Sequence, residues 1–290
     1  MTTAATAAPA VLRTASLTLL AMLAFAGNSL LCRAALAPPE IDPASFATVR
    51  TAAGAVMLAL LAAATARGTS SPAAGNWPSA LALAVYMTGF AYAYISLDAG
   101  TGALILFGAV QLTMMTAALL AGERLKALQW LGFTLAAGGL VWLMLPGATK
   151  PSAVGAALMA LAGIGWGIYS LRGRGVSDPL RATSANFLRA TPLVAVLSVL
   201  TLGSLSISLE GATLAIVSGA VASGLGYSIW YAALRGLTAA RAAAVQLTVP
   251  VIAACGGVLL LDERLTGRLV LAGLLTLGGV ALAIGGRRTR

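Results

Sequence analysis

The sequence predicts an all-α polytopic membrane protein: ten transmembrane helices, arranged as two inverted five-helix repeats. Three observations predict it. Hydrophobic residues make up 59% of the chain and charged residues 9%, with a mean hydropathy of +0.94. Soluble domains of this length are not so poor in charge. The apolar runs last about 20 residues, enough to cross about 30 Å of hydrocarbon as helices. Finally, Gly122-Glu123-Arg124-Leu125 returns as Asp262-Glu263-Arg264-Leu265, each between two apolar runs. Alternation with period two is absent, which argues against an outer-membrane barrel.

The repeat extends beyond that motif. Gly138-Gly139 matches Gly278-Gly279, and Ala26-Gly27 matches Trp166-Gly167. Phe46 to Arg50 resembles Phe187 to Arg189, and Leu97 to Ala103 resembles Leu237 to Ala243. The order is kept along the chain, so the first copy is read as residues 1–150 and the second as 151–290, with the seam near Lys150-Pro151. Internal repeats are sought before a fold is assigned. In membrane carriers the functional site lies where such copies face each other.

The spans run roughly over 14–36, 43–66, 79–97, 101–121, 127–145, 152–171, 182–202, 211–233, 237–261 and 267–286. Their connectors are short and carry Pro or Gly: Ala37-Pro38-Pro39, residues 68–72, Pro146-Gly147 and Asp178-Pro179. Short connectors make consecutive spans antiparallel neighbours. Met1 to Ala10 shows no cleavage pattern, so the first span is expected to be retained. Arg13, Arg67, Arg124, Lys126, Arg172, Arg174, Arg181, Arg235, Arg241, Arg287, Arg288 and Arg290 fall on one side. Arg33, Lys150, Arg264 and Arg268 fall on the other. This bias puts both termini in the cytoplasm. An odd number of spans per copy then inverts the second copy relative to the first.

Several function classes are excluded. The net charge is +10, but the arginines sit singly in loops, so no nucleic-acid partner is expected. There is no histidine, which removes the commonest metal ligand and general base. Cys32 and Cys255 are isolated and make neither a disulfide framework nor a metal site. Ser223-Gly224 has no base to serve it, and no other hydrolase motif occurs. Gly163, Gly165 and Gly167 follow no strand and are no nucleotide loop. The expectation is a protein that is not an enzyme and needs no cofactor or metal.

What stands out is polarity inside the spans. Asn28, Gln111 and Gln246 are amides in lipid-length runs, where an unpaired amide is costly, so they should face the bundle interior. Each could serve substrate or a plain interhelical hydrogen bond worth about 0.6 kcal/mol. Tyr86, Phe90, Tyr169, Tyr227, Trp230 and Thr248 join them as candidate substrate-binding residues. Trp166 lies among glycines that leave space beside its ring, where it could stack on a planar ligand or simply pack. Trp77, Trp130 and Trp142 read as interface anchors. Pro250, inside the ninth span, is either a hinge or a purely architectural kink. Arg50 and Arg189 lie several residues inside their spans. They either snorkel to the interface or pair with a helix C-terminus or a loop carboxylate such as Asp42 or Asp178. The eight acidic residues all fall in loops or at span ends.

Ten spans in two copies, each with a G/D-E-R-L after its fourth span and a Gly-Gly in its fifth, resemble the drug/metabolite transporter superfamily, and within it the EamA-type exporters. The aromatic content of spans three, six and eight is similar to that of the bacterial aromatic amino-acid exporters of the YddG type. The resemblance implies a multi-pass protein of the bacterial inner membrane. It implies a central cavity lined by spans one, three, four, six, eight and nine. It also implies export of aromatic and other neutral amino acids and related metabolites, by alternating access; the lack of a central carboxylate or histidine adds the expectation of a facilitator. The expected partners are a small-molecule substrate and the lipid bilayer; a monomer suffices, and the oligomeric state stays open. Export of cationic drugs or polyamines is the alternative, and it wants acidic groups in the cavity. A scaffold or sensor is the other, and it wants no cavity; cysteine labelling at Gly108 or Ala243 would test that.

Overall fold

The computed structural model describes residues 4–65, 75–122, 126–147, 150–174, 176–237 and 239–285, with the backbone alone for 4–10, 239, 240 and 243. Glu123, Arg124 and Leu125 of the first motif lie outside these residues, as do the connector 68–72, Arg67, Arg287, Arg288 and Arg290. The regular structure of the described residues is helical, apart from one antiparallel bridge between Ile41 and Ile207.

The first copy comprises α1 (Ala4–Leu36), α2 (Pro43–Ala64), α3 (Trp77–Ala93), α4 (Ala99–Leu120) and α5 (Ala127–Met144). The second begins with α6 (Ala153–Arg172) and α7 (Pro179–Leu200). Next, α8 (Leu209–Val217) passes through a π-helical stretch, Ser218–Leu225, into α9 (Gly226–Leu234). It ends with α10 (Ala239–Gln246), α11 (Thr248–Leu260) and α12 (Gly267–Gly285).

Among the described residues, eight stretches are long and apolar enough to cross a membrane: α1 from Val11, α2, α4, α5, α6, α7, the continuous rod 209–234, and α12. The expected third span is the 17-residue α3, and the expected ninth is broken in two. Pro250 explains the break. It sits in the first turn of α11, offers no N–H to the Gln246 carbonyl, and its ring crowds that carbonyl. The chain turns at Leu247 instead, whose N–H bonds the Ala244 carbonyl at 3.1 Å.

Helix starts follow from local side chains. Asp42, Asn76 and Asp178 each accept a hydrogen bond from a first-turn N–H, with Pro43, Pro78 and Pro179 in those first turns. Proline there has no N–H to leave unsatisfied. The paired motif explains two helix ends. Gly122 has φ +84° and Asp262 φ +53°, so the first residue of each motif turns the chain left-handed past a helix C-terminus. Glycine and aspartate are among the residues that tolerate this conformation best.

Contacts between the copies come in swapped pairs. α3 packs on α6 while α1 packs on α9, and α4 packs on α6 while α1 packs on α11. α2 pairs with α7, and α5 with α12. At the last seam a Cβ on Gly139 would run into Thr276, and one on Gly279 would meet Ala136 N and Gly132 O at 2.6 Å. Gly138 and Gly278 face open space. One glycine of each pair therefore lets the helices close up, the device expected where lipid supplies no hydrophobic drive between helices. The outer face is apolar: Val56, Leu60, Val141, Val154 and Leu274 are each at least 60% exposed. Such a surface suits lipid rather than water.

Candidate functional site

The site begins with the glycines of α6. At about 100° per residue, Gly163 and Gly167 share one face of the helix and Gly165 the opposite one. Cβ atoms on Gly163 and Gly167 would strike Ala109 and Thr113 of α4, and one on Gly165 would strike the Ala82 carbonyl of α3. α6 is thus wedged between α3 and α4. Ile164 and Ile168, each 42% exposed, point outward. The remaining direction belongs to Trp166, which projects inward from the gap.

There it meets three rings. Trp166 lies 5.0 Å from Tyr86, 5.1 Å from Tyr227 and 5.5 Å from Tyr169, centroid to centroid. Phe25 closes edge-on against Tyr227 and Trp230. On the rod 209–234, Tyr227, Trp230, Tyr231 and Leu234 follow helical spacing and share one face. All four line a cavity of about 400 Å³ together with Trp166, Tyr169, Gln111 and Gln246. Its far wall is polar: Tyr169 donates to Thr183 at 3.3 Å, and Thr183 and Tyr231 share a 2.7 Å hydrogen bond. At the mouth Arg172 donates to Ser79 at 3.1 Å and to Asn76 at 3.2 Å, with Arg174 beside them. No carboxylate lies among the lining residues.

A second, much smaller cavity of about 20 Å³ lies on the other side of the Trp166–Tyr227 pair, which forms a wall of both. Asn28, Tyr86 and Phe90 line it, with Phe25, Leu106 and Phe107. The Asn28 side-chain oxygen accepts from Ser218 at 2.8 Å and from Ser223 at 3.3 Å. These serines are five apart, which the wider π-helical turn brings onto one face.

Beyond, the bundle is closed. Arg33 near the end of α1 donates to Glu263 at 3.2 Å and to Asp98 at 3.5 Å, and also to the carbonyls of Tyr94 and Ile95. Both Glu263 oxygens accept the Ala99 N–H at 2.9 Å, so a residue of the second copy caps α4 of the first. Burial pushes the Glu263 carboxyl above its ordinary value, against the opposing pull of the Ala99 N–H and Arg33. On the same side, Asp42 N–H donates to the Ser206 carbonyl, and Ser208 donates to Glu40.

Arg50 is a correction to the sequence reading. It neither snorkels nor pairs with Asp42 or Asp178. It is 0% exposed, with its guanidinium 4.5 Å from the Phe90 centroid and 5.4 Å from that of Tyr86. Nη2 donates to Tyr86 at 3.0 Å and reaches Ser223 at 3.5 Å. Nε and Nη1 are buried without a partner, as is the Tyr227 hydroxyl. The α2 backbone fits closely here, since a Cβ on Gly219 would run into the Arg50 carbonyl. Burying a charge costs several kcal/mol, and the ring contacts return about 2. The sequence signal was available: an arginine deep in a span, with the acids all at span ends. Arg189, by contrast, is spent on its own helix, donating to Ala185 at 2.9 Å.

The other named positions divide as follows. Gln111, Trp166, Tyr169, Tyr227, Trp230 and Gln246 line the larger cavity, and Asn28, Tyr86 and Phe90 the smaller. Gln246 also donates to its own Ala242 carbonyl at 3.3 Å. Thr248 lies outside both: it is exposed, and its hydroxyl is bonded to Val245 at the helix break. Pro250 is buried one turn away. Gly108 packs against Leu140 and Thr276 and is no cavity position; the Ala243 side chain lies outside the described residues. Glu263, read as a boundary marker, ties the two copies together.

A model of the EamA-like transporter family matches the chain twice, over residues 12–145 and 153–285. An uncharacterized protein of Pseudomonas aeruginosa is 55% identical over 278 residues, 96% of both chains. A crystal structure of a protein 21% identical in sequence superposes with a TM-score of 0.65, over 95% of this chain and 99% of its own; at that identity the likeness is one of fold. The doubled match accounts for the paired motifs and the swapped helix contacts, and the chain belongs to the EamA-like transporter family, within the drug/metabolite transporter superfamily, as a multi-pass membrane protein.

Proposed function

We propose that this protein exports aromatic and other neutral amino acids, with related metabolites, across the bacterial inner membrane. The observation that carries this reading is a cavity open at one end and closed at the other. Its volume, about 400 Å³, falls within the range of small-molecule sites. Its aromatic and amide lining suits a zwitterion with a planar side chain. The mouth carries Arg172 and Arg174, which the charge bias assigns to the cytoplasm. The cavity is then loaded from inside, and the Arg33–Glu263–Asp98 cluster is the outer gate.

Transport follows by rocking two inverted copies, with the seam near Lys150-Pro151, about the central site. The break at Leu247 beside Pro250 gives one such element a hinge. Among the described residues no acidic side chain lines the cavity, which disfavours cationic drugs and polyamines. It also leaves no carboxylate there to couple proton and substrate, so the protein acts as a facilitator.

Radiolabelled phenylalanine in proteoliposomes tests this. Flux should persist without a pH or voltage gradient and reverse with the substrate gradient. Accumulation driven by a proton gradient alone would sink the facilitator. Cysteines placed at Arg174 and Lys150 should react with an impermeant reagent from opposite sides of the membrane; same-side labelling would overturn the topology.

A further inference from the structure

The buried, unpaired charge of Arg50 has a chemical meaning that the transport reading does not use. We infer that Arg50, with the hydroxyls of Tyr86 and Tyr227 and the amide of Asn28, forms an anion site that receives the carboxylate of an apolar or aromatic monocarboxylate. This rests on the reading of the central cavity as a substrate path.

The groups assembled there are donors. Arg50 has no acceptor lone pair, and its Nε and Nη1 have no partner. Tyr86 already accepts from Arg50, so its own proton is left to give. The Tyr227 hydroxyl lacks a partner at strict hydrogen-bond geometry and lies near that of Tyr86, so either proton can turn to an incoming acceptor. The Asn28 oxygen is taken by Ser218 and Ser223, which leaves its NH₂ group. The Asn28 orientation is assigned from that network. Tyr86, Tyr227 and Asn28 all line the small cavity. A ring of donors around one positive charge is complementary to an anion and to little else.

The ion pairs among the described residues join Arg33 to Asp98 and Glu263, and Arg181 to Asp178; none uses Arg50. Among the described residues, then, no carboxylate pairs with this buried cation. Arg50 stands behind Tyr86 and Phe90, so its charge reaches a ligand chiefly through the Tyr86 hydroxyl. The small cavity holds about one water-sized group, so a carboxylate enters as Trp166 turns out of the shared wall. The ligand's apolar body then stays in the larger cavity, among Tyr169, Tyr227 and Trp230.

The test uses the full chain in nanodiscs and two matched pairs, L-phenylalanine with L-phenylalaninamide and benzoate with benzamide. Binding is read by tryptophan fluorescence and thermal shift. Each acid should bind wild type about tenfold or more tighter than its amide. Arg50→Met should remove that preference and leave amide binding unchanged; Arg50→Lys should keep part of it. Tyr86→Phe, which retains the charge and the ring, should lower the preference as well, and it decides the matter if Arg50→Met does not fold. A folded Arg50→Met protein that still prefers acids would overturn the site, as would wild type binding neither acid. If benzoate follows the pattern and phenylalanine neither binds nor crosses, the site stands and the amino-acid reading falls. If phenylalanine is carried equally by wild type and Arg50→Met, the site falls and the transport reading stands.

Discussion

Two arginines of the first copy are held in opposite ways. Arg33 sits at the closed end, its side chain 19% exposed, with two carboxylates within 3.5 Å. Arg50 is 0% exposed and has none. The first charge is answered by the other copy, through Glu263. The second is held by rings and hydroxyls, which offset only part of its desolvation. A paired charge at a seam makes a contact that can be broken and remade. An unpaired charge in the core is a cost to folding, kept where something else benefits from it.

The sharpest way to break this comparison is to make one substitution at both places. Arg50→Met removes a buried charge and fills its volume, so unfolding free energy should rise, by about 1–4 kcal/mol. Arg33→Met strands Glu263 and Asp98, so it should fall, by about 1–3 kcal/mol. Thermal or denaturant melts of the two variants in the same detergent check the signs. If both fall alike, Arg50 is ordinary packing and the contrast dissolves.

Trp166 lies between the open cavity and the rings over Arg50, so it sharpens the contrast from the substrate side. Trp166→Ala should lower flux of aromatic amino acids about tenfold, equivalent to about 1.4 kcal/mol of lost stabilisation, with membrane insertion intact. The check is initial-rate uptake into proteoliposomes, beside size-exclusion profiles. Loss of folded protein at unchanged specific flux would make Trp166 a packing residue alone.

Much of the fold was legible because lipid imposes simple rules. Run length gave eight of the ten expected spans, and the paired G/D-E-R-L gave the two copies. The structure adds why the motif takes glycine or aspartate first: Gly122 and Asp262 both have positive φ. Segment count was less legible. Pro250 marked a weak point in the ninth span, but only the turn at Leu247 shows the helix broken there. In the site, ring and amide composition picked out Trp166 and its neighbours, because polarity in a span has few reasons to exist. Thr248 falls outside both cavities because its hydroxyl is satisfied across the helix break, on the Val245 carbonyl of α10. Arg50 and Glu263 were misread for the same reason. Depth in a span and partners from the other copy are set by how the helices stack, which spacing along one chain does not carry.

The smallest effect concerns the paired arginine's partner. Burial raises the Glu263 carboxyl above 4.5, Asp98 pushes the same way, and the Ala99 N–H and Arg33 pull it back. A group with a raised value in the folded state contributes stability that is full below its unfolded value and lost as pH rises through the folded one. Measured against Glu263→Gln, wild type should therefore lose a little stability from about pH 4.5 upward and then level off. Partial solvent access keeps the change small. Acidification should tighten the seam, because the closed state that buries the Glu263 carboxyl is the one that favours its protonation. A cysteine at Leu97, buried at this end, should react more slowly with an impermeant reagent at low pH, when its rate is normalised to a cysteine at exposed Leu205. That slowing should vanish in Glu263→Gln. A wild-type advantage that grows with pH would mean that Arg33 outweighs burial, and that the cluster is a brace rather than a gate.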